Sequence, residues 1–320
     1  MLATCAATEK ALLFIDQSAG ERMLIRFVFA CLLLLGLPAA AGAEELQERA
    51  AIQSQVYDLM WNEDFGALEF MADSYRTTKA RTSSGLWKLT LFYAGIERAF
   101  QRQGADWAHR IAQGWAEQYP QSAAAHLAYA QTLPDPETAR AYLEAHKDVA
   151  ARDPRWFEMM AEIACGQGWP RPRFAPIIEE ALDRAPGYYP IYFAAAEYYS
   201  PRCGGSTAEL ETFARMAVER TRDTDGLGLY VRIYWYASQT VFGDQLFTAS
   251  DVSWADMKKG MDDVLRRYAD SWNLANFVRF ACLKGDGQVM KELTDRMDER
   301  AWSVWDDQNY SADCTALRSN

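Results

Sequence analysis

The sequence predicts an all-α chain: a solenoid of stacked antiparallel helical hairpins, with an aromatic-rich irregular insertion and a C-terminal capping tail. Three observations carry that expectation. Pro120, Pro154 and Pro186 fall 34 and 32 residues apart, and each separates two amphipathic stretches. Apolar residues recur at spacings of three and four, the period of one helix face, through most of the chain after residue 44. No linker of low complexity divides it, so 44–320 reads as one domain. A hairpin of two short helices cannot bury its own apolar face, and repeated hairpins must therefore stack.

The first 43 residues read as a leader rather than as part of the fold. Met23-Leu24-Ile25-Arg26 is a short basic start, Phe27 to Leu37 is apolar, and Ala41-Gly42-Ala43 is a small-x-small cleavage site. Translation is then expected to begin at Met23, with 1–22 an upstream extension. A lipoprotein reading at Cys31 fails because almost no apolar stretch separates Arg26 from it. The apolar run is also too short to span a bilayer, which takes about 20 residues. These features imply a periplasmic or secreted bacterial protein with no membrane span in its mature chain.

Within the domain each element has its own signal. Ile52, Val56, Leu59 and Met60, continued by Phe65, Leu68 and Met71, predict helix over 44–75. A polar stretch over 75–85 interrupts it. Leu89, Phe92, Tyr93, Ile96 and Phe100 make the next stripe, Gly104 ends it, and Trp107, Ile111 and Trp115 mark a partner helix over 105–118. Helices follow over 123–132 and 137–151, over 155–165 and on to Arg184, and over 189–199 and 208–222. Proline lacks the amide that would continue a helix, so it stops one and can open the next. Ser206 followed by Glu209 is a helix-start pattern. The period breaks over 223–254, read as a helix over 229–240 and an irregular loop. Helices return over 254–268, 273–283 and 287–300, and 302–320 forms the tail.

Removing the leader leaves 277 residues and a net charge of −11, because the leader holds three basic and three acidic residues. An acidic chain without a long basic run is a poor ligand for nucleic acid or anionic lipid. Neither a cofactor nor a metal is expected. His109, His126 and His146 share no ligand spacing, no Cys-x-x-Cys occurs, and neither a Gly-x-Ser-x-Gly elbow nor a phosphate-binding loop is present. Asp223-x-Asp225-Gly226 resembles part of a calcium loop, but the position that requires glutamate is Arg232. No catalytic residue is assigned.

Two features stand out as candidate binding elements. One is the basic segment Arg76, Lys79, Arg81 and Lys88, mixed with hydroxyl side chains that together with cations can hold a carboxylate or phosphate. The other is aromatic density, in which Tyr188, Tyr192, Tyr199, Tyr230, Tyr234 and Trp235 are candidate anchors for a peptide. Each feature has a plainer alternative. The cations can belong to a turn paired with acidic neighbours, and the rings can pack between hairpins.

The proline period and the hairpin content of 89–221, with echoes to Arg300, resemble the tetratricopeptide-repeat superfamily. The run YRTTKARTSSGLWKLTLFY from Tyr75 to Tyr93, with a terminal hairpin ending at Cys282 and a Trp–Cys tail, is similar to an uncharacterised family of exported bacterial helical-repeat proteins. The resemblance implies a non-enzymatic protein- or peptide-binding or scaffolding module. Outside the leader the cysteines are Cys165, Cys203, Cys282 and Cys314, and four cysteines allow three disulfide connectivities or four buried thiols. The register of the resemblance favours Cys165–Cys203 and Cys282–Cys314. Two other functions are weighed against binding. One is a hydrolase or sugar-active enzyme using Glu158, Glu162 or Glu197 in an aromatic groove; the other is a purely structural envelope component.

Overall fold

The computed structural model describes residues 44–299, 301, 302 and 304. The expected leader over 1–43, most of the tail and Cys314 lie outside the described residues. Helices α1 (Glu44–Trp61), α2 (Phe65–Thr78), α3 (Lys88–Gln103), α4 (Ala105–Gln118), α5 (Ala123–Gln131), α6 (Pro136–Ala145) and the short α7 (Lys147–Ala150) form the first half. The second half comprises α8 (Arg155–Gly166), α9 (Arg171–Arg184), α10 (Tyr189–Tyr199), α11 (Thr207–Asp225), α12 (Gly228–Ala237), the short α13 (Leu246–Ala249), α14 (Trp254–Arg267), α15 (Ser271–Lys284) and α16 (Gly287–Thr294). Among the described residues there is no strand, only an isolated antiparallel bridge between Arg81 and Trp87. None of these helices is long and apolar enough to cross a membrane.

Local chemistry explains most boundaries. Ser122, Asp135, Ser206, Ser253 and Asp286 each cap a helix by accepting a backbone amide of its first turn. The predicted helix over 44–75 is two helices. Asp64 caps α2 through the Ala67 amide, and Glu63 turns the chain with a φ of 54°. The helix predicted over 137–151 likewise splits at His146. The helix predicted over 229–240 ends at Ala237, where a π turn over Ser238–Phe242 takes over. Gly226, with a φ of 58°, ends α11, so Asp223-x-Asp225-Gly226 is a helix terminus.

Packing then places the helices. Those two apart in sequence lie side by side: α1 with α3, α6 with α8, α8 with α10, α10 with α12 and α12 with α14. Small residues set the closest approaches. A Cβ on Gly95 of α3 would sit 2.9 Å from Val56 of α1, and one on Gly260 of α14 would sit 2.5 Å from the Leu227 carbonyl before α12. The core is aromatic around α10 and α12, where Tyr188, just before α10, and Tyr189, Tyr192, Tyr230 and Tyr234 are fully buried. Each such ring contributes on the order of 2 kcal/mol through burial. In α5 almost every residue is buried, so its alanines serve close packing on two sides.

Cys165 and Cys203 form a disulfide with a Cα–Cα distance of 5.2 Å. It ties the end of α8 to the 3₁₀ turn Pro201–Cys203 that follows α10. The pairing favoured for these two cysteines is therefore present.

Candidate functional site

The most concentrated chemistry lies where α3, α8, α10 and α12 meet. Asp153, fully buried, accepts the Arg155 amide at 2.9 Å and the Arg76 Nε at 2.8 Å, fixing the start of α8. Arg155, Glu158 and Glu162 then follow at steps of three and four residues, which puts all three on one helix face. The Arg155 Nη1 meets Glu158 at 2.5 Å and Glu162 at 3.3 Å, while Nη2 meets Glu97 of α3 at 2.7 Å. Tyr188 donates its hydroxyl to Glu158 at 3.1 Å.

One guanidinium thus faces three carboxylates in a largely desolvated setting. Desolvation pushes the Glu158 carboxyl up to about 7, helped by the charges of Glu162 and Glu97 and opposed by Arg155. Glu162 is raised for the same first reason, with Glu97 and Glu197 adding to the push, although 51% of its side chain is open to water. Burial alone would lower the Arg155 guanidinium, but Glu158, Glu162 and Glu97 hold it well above its usual value.

Aromatic residues extend the site. Phe193 and Glu197 are one turn apart on α10, and Tyr236 of α12 stacks on Phe193 with centroids 5.2 Å apart and planes 8° from parallel. Tyr236 donates to Glu197 at 2.6 Å, and Arg202 pairs with the other Glu197 oxygen at 2.9 Å. Burial first, then Glu197, pushes the Tyr236 phenol above its usual value. Phe193 and Tyr236 are only half-buried. Cys165, Glu197 and Cys203 bring possible ligand atoms within 4.8 Å of one another, yet both sulfurs belong to the disulfide and are not free to bind a cation. Beyond Tyr236 lies a cavity of about 160 Å³ whose wall includes Ser84, Arg232, Trp235 and Trp272.

The candidate residues from the sequence distribute unevenly. Arg76 is held by Asp153 and Asp73, Lys88 by Glu48, and Lys79 is exposed with its ammonium 5.9 Å from the Trp87 ring. Arg81 turns inward, donating to the carbonyls of Gly85 at 2.6 Å and Gly187 at 3.2 Å. Its guanidinium lies 4.8 Å from the Tyr189 ring and 5.8 Å from that of Trp87. The basic segment and the aromatic helix α10 are therefore in contact with each other. Tyr188, Tyr192, Tyr230 and Tyr234 have buried rings, and their hydroxyls bond to Glu158, the Pro186 carbonyl and, for the last two, Glu211. Tyr199 is half-buried beneath Arg171 at 4.5 Å. Trp235, 9% exposed, lines the cavity.

The histidines belong to a different region. His126 bonds to Tyr142 and the Pro120 carbonyl and stacks on His146 at 4.6 Å, while His109 meets Thr132. Sequence reasoning missed Glu97, Arg155 and Arg232. Arg155 carries a local signal in its spacing to Glu158 and Glu162, and Arg232 is a lone cation in the apolar stretch GLYVRIYWYA. Glu97 has no local signal, since it meets Arg155 across 58 residues of chain. No family model, curated protein or solved structure matches this chain.

Proposed function

We propose that the chain is an exported, non-enzymatic binding module of tetratricopeptide-like hairpins, delivered by the leader over 1–43, that holds a basic protein or peptide segment. One arrangement carries this reading. Three helices that lie side by side, α8, α10 and α12, bring half-exposed Glu162, the Phe193–Tyr236 stack and Glu197 together on one continuous face. Its surplus of carboxylates over guanidinium groups attracts Lys and Arg side chains, and the aromatic pair offers a flat anchor between them. The test is fluorescence anisotropy with a Lys/Arg-rich peptide and its Glu-substituted counterpart. Selective binding of the basic peptide, weakened at least tenfold by Glu162→Lys, supports the reading; equal affinity for both peptides, or for both proteins, contradicts it.

A second reading draws on one specific observation, the Glu158 carboxyl held near 7 beside Glu162. A carboxylic acid protonated near neutrality next to a second carboxylate is the acid–base pair that glycoside hydrolysis uses. On this reading Glu158 donates the proton to the leaving oxygen. Turnover of a polysaccharide panel, abolished by Glu158→Gln, is its expected outcome; absence of turnover in the unmodified protein contradicts it.

A further inference from the structure

Two arginines of the described residues are buried, each 7% exposed, and they are treated very differently. Arg155 meets three carboxylates. Arg232 meets none within 4 Å among the described residues; it makes a single hydrogen bond, from Nη2 to the Ser84 carbonyl at 2.5 Å, and lies near the rings of Tyr189 at 5.1 Å and Tyr268 at 5.8 Å. A buried cation without a counter-ion is costly, and the compensation is ordinarily a paired anion. The anions of the neighbourhood do not pair with it. Asp225 accepts from Tyr189 and pairs with Arg267 at 3.6 Å; Glu45 holds Arg49, Ser83 and Ser84; Asp270 accepts the Trp272 amide through Oδ1 and leaves its buried Oδ2 without a partner.

Arg232 lines the cavity of about 160 Å³ described above, and the other walls fit an anion with an apolar body. Arg49, also on the wall, makes its hydrogen bond through Nε to Glu45 and stacks 4.9 Å from the Trp272 ring. Asn273, fully buried on the same wall, donates to the Ser84 and Tyr268 carbonyls but leaves Oδ1 without a partner. Phe193, Trp235 and Tyr236 close the aromatic side. A cavity of about 150 Å³ is enough for a benzene-sized group.

We propose that this cavity is a carboxylate-binding pocket: Arg232, with Arg49, receives the carboxylate, the aromatic wall holds a body of about one ring, and Asn273 accepts a hydrogen bond from an adjacent N–H. A free N-acylated amino acid and the C-terminal residue of a peptide present this same chemistry. The planar guanidinium matches a carboxylate with two parallel donors, which neither a neutral amide nor an ester can exploit equally. The site does not depend on the basic-segment reading, because a free acid alone satisfies it.

Isothermal titration of the purified protein with N-acetylphenylalanine and with its carboxamide tests the proposal. The acid is expected to bind at least tenfold more tightly than the carboxamide. Arg232→Gln is expected to abolish the difference. Because Arg232 also supports Ser84, Gln239→Trp, an exposed position at the cavity wall, provides a variant that fills the pocket without touching the core; it is expected to block the acid. A pentapeptide ending in free phenylalanine separates the sources. Binding tenfold tighter than the single residue identifies a peptide terminus, and equal binding identifies a free acid. Equal affinity for acid and carboxamide, or no binding of the acid at 10 mM (about the weakest affinity of interest) by the folded protein, overturns the proposal.

Discussion

Arg81 and Tyr189, more than a hundred residues apart in the chain, face each other with the guanidinium 4.8 Å from the ring centroid. The same guanidinium holds the Gly85 and Gly187 carbonyls, and a Cβ at Gly187 would sit 2.7 Å from its Nη2. The loop between α2 and α3 is thus fastened to the start of α10, and through the Ser84 carbonyl to Arg232 of α12 and Asn273 of α15. The basic segment works here as an internal strap.

Arg81→Ala is therefore expected to destabilise the protein by about 2–3 kcal/mol, from two charge-assisted hydrogen bonds and ring contacts. Urea denaturation measures this. A change below about 0.5 kcal/mol, the range of ordinary surface substitutions, contradicts the strap.

Much of this architecture was legible in the sequence, and what was not has a physical cause. Helices over 105–118 and 189–199 begin and end where the apolar stripes and their flanking glycine or proline indicated. The break at Asp64 was hidden because Trp61, Phe65 and Leu68 keep steps of four and three across it, while the cap is a single side-chain contact. Glu158, Glu162 and Glu197 were legible as candidate carboxylates. Their shared environment was not, since it depends on Glu97 and Tyr236 arriving from other helices.

Gly260 marks a close helix contact, and Gly260→Ala is expected to cost about 1–3 kcal/mol because the backbone carbonyl of Leu227 cannot move aside as a side chain would. Thermal and chemical denaturation of the variant check this. An unchanged midpoint would mean that α12 and α14 pack less closely than described.

The disulfide closes a sequence separation of 38 residues, so removing it by Cys165→Ser with Cys203→Ser is expected to lower stability by about 3–4 kcal/mol. Peptide mapping under non-reducing conditions gives the direct check. Recovery of separate Cys165 and Cys203 peptides from the oxidised protein contradicts the pairing.

Glu158 gives a pH dependence of defined sign. Its carboxyl rises from an ordinary value of 4.5 to about 7 on folding, so the folded state binds the proton more tightly than the unfolded one. The contribution is fully present below 4.5 and is lost as pH rises through 7, at most roughly 3 kcal/mol. Glu158→Gln is expected to remove this fall, so the stability difference between variant and parent shifts in favour of the variant from pH 5 to pH 8. A constant difference across that range contradicts the raised carboxyl.

The central claim is that the face shared by α8, α10 and α12 holds a partner. Site-specific photo-crosslinking tests it most directly, with benzoylphenylalanine placed at Phe193 on that face or at Phe70, which is 78% exposed elsewhere. The account predicts a discrete crosslinked partner from Phe193, lost with Glu162→Lys, and none from Phe70. The same product from both positions, or from Phe70 alone, would contradict it.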